Sequence, residues 1–290
     1  MPNPSHMMIN PGRARVIAER ATQRRLLNSF LREAGVPVAA TTAPLRVPLP
    51  ESGAVLLGSL RYWSVLGHHA YGDEFWMQPD GSEMVSTVGH HELVALLLTE
   101  LQGLATRESD DSSGGRWQAE LAAQIDNSVI RTARYLEHGR PPRPEMSDPR
   151  VLTRRAEQSL LFGHPFHPTP KSAEGFSVPD LAAYAPELGS SFPLHYFAVT
   201  PELLIEDRVS PAPWVPPEVQ QQARCLLEAE RAGYALLPVH PWQAGYLLHQ
   251  DAVGALVAHG GLVPLGPLGN EVYPTSSVRT VCDPSFASSW

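Results

Sequence analysis

Cysteine is scarce in this chain of 290 residues. Only Cys225 and Cys282 occur, and no CxxC spacing is present. The sequence therefore supports neither a disulfide framework nor a cysteine-based zinc site. Such sparse cysteine usage is typical of a reducing compartment, and we expect a cytoplasmic protein.

Positive charge and long apolar runs are also limited. The chain has 30 acidic against 22 basic residues and a net charge of −8, which argues against a non-specific nucleic-acid binder. No uninterrupted apolar run approaches the ~18–20 residues that span a bilayer. Residues 1–25 also lack the apolar segment of a secretory signal. We therefore expect neither a nucleic-acid partner nor a membrane partner.

Proline, by contrast, is abundant. It accounts for 29 of the 290 residues, about twice its usual share in proteins. Hydrophobic residues make up 43% of the chain and charged residues 18%, so one large domain or two ordinary ones can form a sizeable core. We expect a mixed α+β fold of many short elements joined by extended connections.

Apolar periodicity outlines the helices of the N-terminal part. Residues 1–12 have no periodicity and are predicted to form a loose tail. Helical spacing predicts an amphipathic helix over 14–34, a second over 89–105 with Thr87 as its cap, and a third over 121–136.

Between the first two helices the pattern changes to strands. The apolar stretches 45–49 and 54–66 flank a turn and predict a β-hairpin. A second short pair is predicted between Trp76-Met77 and Met84-Val85.

A proline-rich stretch at 140–149 is the predicted linker. Within it, Ser147-Asp148-Pro149 has the cap-plus-proline form that begins a helix, predicted here over 150–161. Short strands and loops follow, with one clear helix over 217–232.

The segment GHPFHPTPKSAEGF (163–176) presents two imidazoles, a lysine and hydroxyls on a rigid turn. His164 and His167 suggest a metal site, but no third ligand lies near them in sequence. Alternatively, Lys171 as a point charge and Ser172 as a donor would form an anion site. The third interpretation is a structural turn with exposed histidines.

Two further segments carry polar groups. In LLPVHPWQ, an apolar strand leads into His240, which we interpret as a hydrogen-bonded core residue more readily than as a catalyst. In YPTSSVRTV, an extended backbone would place Thr275, Ser277 and Arg279 on one face, where they would converge on one anion. Hydroxyl-rich edge strands also occur without function, so both interpretations stay open. The common P-loop, hydrolase, metalloprotease and Rossmann motifs are missing from the sequence.

Four strings in this order, GHPFHPTPKSAEGF, YAPE, LLPVHPWQ and PTSSVRTV, resemble the NRPS-independent siderophore synthetases, the IucA/IucC (aerobactin synthetase-like) family. The resemblance covers residues 163–281 and is loose before them. It implies a cupped-hand architecture with a thumb-like subdomain over 13–148 and a fingers-like, nucleotide-binding subdomain over 149–290.

The chain departs from the family pattern in two respects. The family usually has a basic residue where Ala173 stands, so a phosphate contact could be weakened. Family members also continue into a C-terminal palm domain after the PTSSVRT segment, and we expect this chain to be the N-terminal half, with the palm missing.

The resemblance implies that a carboxylate of citrate or a related acid attacks ATP, forming an acyl-adenylate and pyrophosphate. An amine or hydroxyl substrate then displaces AMP, and Mg²⁺ neutralises phosphate charge. It further implies a homodimer for a full-length protein. The residues expected at the site have two roles. The implied catalytic residues are Arg279 and His167, and the implied nucleotide-binding residues are His164, Lys171, Ser172, Ser276, Ser277, Arg279 and Thr280.

Two alternatives stand beside the synthetase hypothesis. The chain could be a catalytically inactive fragment that binds a nucleotide without turning it over. Less readily, it could be a histidine-rich metal-binding protein that uses His164 and His167 together with other paired histidines. We predict no metal site of the protein's own.

Overall fold

The structure is a computed structural model that describes residues 9–39, 44–108, 114–139, 148–207, 215–277 and 280–284. The chain folds into two units, each with its own sheet and helices. The first unit comprises Met1–Arg143 and Leu161–Gly175, and the second comprises Pro144–Leu160 and Phe176–Trp290.

The first unit opens with helix α1, Pro11–Glu33. Asn10 caps it by accepting a hydrogen bond from the backbone of Gly12, and proline occupies the first helical position, where its missing N–H costs nothing. The helix ends before Gly35, whose φ of 65° suits a residue without a side chain. The helix predicted over 14–34 is confirmed. Of the predicted tail, residues 1–8 lie outside the described residues.

Four antiparallel strands follow in the order β1-β2-β3-β4. They are β1 Leu45–Leu49, β2 Ala54–Tyr62, β3 Ala70–Pro79 and β4 Ser86–Val88. The predicted first hairpin is confirmed. The second predicted pairing, between Trp76-Met77 and Met84-Val85, is wrong. Trp76 and Met77 pair with Thr87 and Ser86, while Met84 and Val85 are exposed.

Two long helices complete this unit, α2 at His90–Glu108 and α3 at Gly114–His138. Both were predicted, but Thr87 lies in β4 and does not cap α2. One apolar face of the sheet packs against α1, α2 and α3 in a single core that includes Leu27, Leu56, Leu93 and Ile125. Burial of these faces supplies most of the driving force for folding the unit.

The second unit is built around β5, the central member of a second antiparallel sheet with the order β6-β5-β7-β8. Its strands are β5 Phe192–Val199, β6 Ala235–Val239, β7 Leu262–Pro274 and β8 Val281–Cys282, and its helices are α4 Pro149–Gln158, α5 Val178–Tyr184, α6 Pro217–Leu226, α7 Pro241–Leu248 and α8 Asp251–Ala258.

Side chains alternate across β5, so each face of the strand enters a different core. Phe192 and Tyr196 pack with Val219 of α6, whereas Phe197 packs with Ala244 of α7. The predicted start of α4 is confirmed, since Asp148 accepts a hydrogen bond from the backbone of Arg150 with Pro149 at the first helical position. The helices themselves are shorter than predicted, with α4 ending at Gln158 and α6 at Leu226.

Helices packed with antiparallel sheets confirm the predicted α+β class. The thumb-like and fingers-like boundaries at 13–148 and 149–290 stay a prediction. The observed units differ from them in two places, because residues 161–175 belong with the first unit and residues 144–148 with the second. Of the predicted linker, residues 140–147 are not among the described ones. Across the described ranges, no helix is both long enough and apolar enough to cross a bilayer.

We expect Leu56→Ala to lower the free energy of unfolding by about 2–5 kcal/mol, because it opens a cavity in the core of the first unit. Leu56 is fully buried, whereas Leu66 is 80% exposed. Urea denaturation followed by circular dichroism would measure the effect, with Leu66→Ala as the control. Equal effects of the two variants would contradict this description of the core.

Candidate functional site

Helix α1 anchors the start of the 163–176 segment. The Arg25 guanidinium donates to the carbonyl of Phe162 over 2.9 Å, and the Ser29 hydroxyl donates to the carbonyl of Phe166 over 2.6 Å. The guanidinium carbon of Arg32 lies 5.0 Å from the centre of the Phe166 ring. Three side chains on one helix therefore fix the backbone that precedes and follows His164.

His164 and His167 have the same local geometry. Each ring accepts, at Nδ1, the backbone N–H of the residue two positions later, over 3.2 Å from Phe166 and 3.1 Å from Thr169. Because Nδ1 is the acceptor, a neutral ring carries its proton on Nε2. Both histidines are exposed, so the turn holds two oriented N–H donors at the surface of the first unit.

Helix α3 anchors the lysine-bearing end of the segment. The backbone N–H of Lys171 donates to the hydroxyl of Ser128 over 3.2 Å. The side-chain oxygen of Asn127 accepts from the backbone N–H of Ala173 over 3.0 Å and from the Ser172 hydroxyl over 3.4 Å. The Ser172 hydroxyl is thus engaged within the unit in this conformation.

A buried arginine stands beside Ala173, the position where the sequence lacks the family's basic residue. Arg131 of α3 is 7% exposed, and its guanidinium donates to the carbonyl of Ala173 over 3.2 Å. A guanidinium is therefore present at this turn, although it comes from a helix more than forty residues earlier in the sequence.

Sequence reasoning missed the anchoring residues Asn127, Ser128 and Arg131. They flank the apolar stripe of α3, and such residues are usually interpreted as its solvated side. The signal in the sequence was the position of Ser128, directly beside Val129 of the stripe. In the structure Ser128 is fully buried. A small hydroxyl next to the core face of a helix often donates to or accepts from a packed loop.

Gly163 allows the segment to fold back on itself. Its φ is 68°, a conformation that side chains disfavour. A Cβ atom at this position would lie 2.7 Å from Cβ of Pro170 and 3.3 Å from Cε of Lys171. The lysine side chain therefore passes close to Gly163, at the beginning of the same turn.

A metal site receives no support from the geometry. No group of three or more histidine, cysteine, aspartate or glutamate side chains that could hold an ion occurs within the described part of the chain. His164 and His167 thus have no third protein ligand among these residues.

The hydroxyl-rich segment of the second unit forms a tight turn. Strand β7 ends at Pro274 and β8 begins at Val281, and the backbone N–H of Thr275 donates to the carbonyl of Thr280 over 3.1 Å. The extended strand envisaged for this segment is therefore wrong. Arg279 lies outside the described residues.

Within this turn the hydroxyl groups have different partners. The buried Thr275 hydroxyl shares its one proton between the carbonyls of Ser277 and Thr280, at 3.1 and 3.0 Å, and accepts the backbone N–H of Ser277 over 3.2 Å. Ser276 donates two hydrogen bonds to the carboxylate of Glu157 of α4, from its backbone N–H over 2.9 Å and from its hydroxyl over 2.6 Å. Glu157 is a further residue that sequence reasoning missed.

His240 is half-buried in the second unit, among aromatic rings. It caps α7 by accepting the backbone N–H of Trp242 at Nδ1 over 3.2 Å, and its ring lies 4.7 Å from the rings of Tyr184 and Phe192. Burial, and secondly the neighbouring His195, lower the pKa of His240 to about 4. The imidazole is therefore neutral at pH 7, which favours the structural interpretation.

The predicted site residues fall into two groups. One turn of the first unit holds His164, His167, Lys171 and Ser172, and one turn of the second unit holds Ser276, Ser277 and Thr280. Each group is held by helices of its own unit, through α1 and α3 in the first and α4 in the second.

Comparisons with known proteins agree with these motifs. Residues 152–288 match the sequence profile of the IucA / IucC family. The chain is 37% identical over 269 residues to L-2,3-diaminopropanoate–citrate ligase of Staphylococcus aureus, covering 90% of this chain and 44% of that enzyme. It is 29% identical to spermidine-citrate ligase of Bacillus anthracis, covering 93% of this chain and 48% of the enzyme.

The fold matches solved structures as well. ATP-bound aerobactin synthetase IucA from Klebsiella pneumoniae superposes with a TM-score of 0.69 at 24% identity, covering 91% of this chain and 46% of that one. Aerobactin synthetase IucC gives a TM-score of 0.65 at 20% identity. The chain therefore has the fold of part of these synthetases, and it spans less than half of the length of these relatives.

We expect Asn127→Ala to lower the free energy of unfolding by about 1–3 kcal/mol, because the backbone N–H of Ala173 loses its acceptor. Hydrogen exchange at that amide should also become faster. Asn127→Asp keeps an acceptor for this N–H, so its free energy of unfolding should fall less than that of Asn127→Ala. Gln124→Ala on the same helix is the control. Unchanged exchange in Asn127→Ala would show that the side chain does not hold the turn.

Acid should destabilise the native protein through His240. An unfolded histidine titrates near 6.5, whereas the pKa of His240 is lowered to about 4. Its contribution to stability is therefore complete above pH 6.5 and is lost as the pH falls from there towards 4. His240→Asn keeps a helix cap without this titration. Its denaturation midpoint should fall less between pH 7 and pH 5 than that of the wild type, and an identical fall would refute the assignment.

Proposed function

Because this chain belongs to the IucA / IucC family, we propose that it is part of an ATP-dependent siderophore synthetase. In this proposal, a carboxylate of citrate or a related acid is adenylated and then condensed with an amine or hydroxyl, with release of pyrophosphate and AMP. The observation that carries it is the 37% identity to a diaminopropanoate–citrate ligase over 90% of this chain. The name of the similar spermidine-citrate ligase also describes the joining of citrate to an amine.

The first-unit turn suits the nucleotide part of this reaction. Attack of a carboxylate on the α-phosphate of ATP places negative charge on phosphate oxygens, which fixed cations and N–H donors stabilise. We assign Lys171 to the phosphates as a point charge. The Nε2–H of His164 is assigned to the nucleotide and that of His167 to the developing adenylate. Ser172 becomes a phosphate donor only if it releases Asn127, its present acceptor.

The second-unit turn supplies further donors. Ser276 already directs its N–H and hydroxyl at an anionic oxygen, the carboxylate of Glu157. A phosphate oxygen is an acceptor of the same kind, so exchange of the carboxylate for phosphate would need no new donor geometry. We assign Ser277, Arg279 and Thr280 to phosphate oxygens of the nucleotide as well.

ATP is a substrate in this proposal, and Mg²⁺ is its expected companion. Magnesium is usually held by phosphates, waters and one or two carboxylates rather than by a complete protein cage. Glu157 is the carboxylate beside the Ser276 donors, so the residues present fit an ion that arrives with the nucleotide. The ion would supply neutralisation of the phosphate charge. A cytoplasmic location and a homodimer of the full-length protein belong to the same proposal.

A second candidate function is nucleotide binding without turnover. It is favoured by one observation, since the chain spans 44% of the length of the diaminopropanoate–citrate ligase. Residues beyond this span could be needed to bind citrate or the amine, in which case the chain alone would hold ATP and release no pyrophosphate.

Citrate-dependent exchange of labelled pyrophosphate into ATP tests the adenylation step. We expect Lys171→Ala to reduce this exchange about 10²–10³-fold, because it removes a fixed charge from the phosphates. The control is Arg46→Ala, which removes an exposed cation of β1 that contacts Gln78.

The assay is run on this chain and on any longer product of the same reading frame. ATP binding without exchange in both proteins would favour the binding fragment. Unchanged exchange in Lys171→Ala would refute the role of Lys171.

A further inference from the structure

A cavity of about 310 Å³ lies in the first unit where α1 meets the beginning of the 163–176 segment. Arg24 and Arg25 line it from the helix, His68 from the loop between β2 and β3, and Phe162 and Gly163 from the segment. None of the three basic side chains belongs to the residues assigned to ATP above.

Arg25 carries an uncompensated charge in this wall. The residue is 4% exposed, and its guanidinium donates to an uncharged acceptor, the carbonyl of Phe162. The Nη1 atom is shielded from water and finds no acceptor among the described residues. Burial lowers the pKa of Arg25 to about 10, so the group is still charged at pH 7. A buried charge without a counter-charge is strongly destabilising.

Arg24 and His68 add donors to the same wall. The guanidinium of Arg24 lies 2.9 Å from Nε2 of His68, and because a guanidinium only donates, that nitrogen accepts. Burial, and secondly the positive charge of Arg24, lower the pKa of His68. The imidazole is therefore neutral and carries its proton on Nδ1. The wall thus offers two positive charges and a neutral imidazole, and no carboxylate of the described ranges lines it.

We propose that this cavity binds a small oxyanion, a carboxylate or a phosphate group, held by Arg24 and His68 with the charge of Arg25 behind them. Guanidinium groups match the planar geometry of carboxylate and phosphate oxygens. The volume is at the lower end of ligand pockets, about 300 Å³, which suits a citrate- or pyrophosphate-sized anion better than a nucleotide. The anion would neutralise Arg25 and join α1 to the backbone before His164. This site goes beyond the proposed adenylation and does not depend on it.

Calorimetric titration of the 290-residue protein with citrate, pyrophosphate and ATP tests the site. Arg24→Gln should weaken binding of the accepted small anion about ten- to a hundredfold, because a charged hydrogen bond is lost. Arg20→Gln is the matched control, since Arg20 lies on the same helix and pairs with Asp73 instead. Citrate binding alone would identify a carboxylate site, and pyrophosphate binding alone a phosphate site.

The Lys171→Ala variant separates this site from the proposed nucleotide site. Small-anion binding that survives Lys171→Ala and weakens in Arg24→Gln supports the cavity. Binding that is lost in Lys171→Ala and unchanged in Arg24→Gln overturns it, as does the failure of both citrate and pyrophosphate to bind. A failure of the citrate-dependent pyrophosphate exchange assay would count against the proposed function only, because the calorimetric titrations measure binding and not turnover.

Thermal unfolding of Arg25→Met gives a second readout. Without multivalent anions, the variant should unfold at a higher temperature than the wild type, because a buried unpaired charge is replaced by an apolar side chain of similar length. Saturating anion should raise the midpoint of the wild type and have a much smaller effect on the variant. An equal rise in both proteins would overturn the role of Arg25. If Arg25→Met does not fold, the same comparison is made with Arg24→Gln.

Discussion

The 163–176 segment cannot hold its conformation through its own hydrogen bonds alone, and the site of the first unit depends on the helices that anchor it. Pro165, Pro168 and Pro170 remove backbone donors and prevent a regular helix or strand. Some of the remaining backbone groups bond within the segment, as the N–H groups of Phe166 and Thr169 do. Side chains of α1 and α3 provide partners for others. Ser29 holds one end of the segment and Asn127 the other. The turn that presents the histidines and the lysine is thus only as rigid as these two helices.

Anchoring a loop through arginine brings positive charge into the interior. Arg25 donates to the carbonyl of Phe162, the residue before the segment, and it is buried. A carbonyl satisfies a guanidinium N–H but carries no net charge, so the anchoring bonds leave the Coulomb cost of burial in place. An anionic ligand relieves that cost only when it is bound. In the proposed anion site, structural anchoring and affinity for anions are therefore linked, because the guanidinium of Arg25 would serve both.

The sequence predicts what depends on local pattern. The 3.6-residue apolar period located α1, α2 and α3, and Pro149 after Asp148 located the start of α4. It does not predict what depends on packing between distant residues. Alternating hydroxyls suggested an extended strand over 273–281, but the Thr275 hydroxyl directs its one proton at the carbonyls of Ser277 and Thr280 across a turn. The anchors from α3 and α4 were missed for the same reason. Apart from the position of Ser128 beside the apolar stripe, nothing local distinguishes a polar residue facing solvent from one facing a loop.

The donor groups of both turns are held in place by hydrogen bonds, but the acceptors differ in charge. In the first unit, donors of the turn are fixed by neutral acceptors, as when the Nδ1 atom of His167 accepts the N–H of Thr169. In the second, the donors of Ser276 are fixed by a full negative charge on Glu157. A carboxylate competes with an incoming phosphate, both for the donors and through repulsion. Binding of a phosphate at Ser276 therefore requires that Glu157 move away or share a cation with it. Glu157 would be the protein residue that holds a magnesium ion arriving with the nucleotide, and the ion would supply positive charge that offsets this repulsion. Metal dependence would then rest on Glu157.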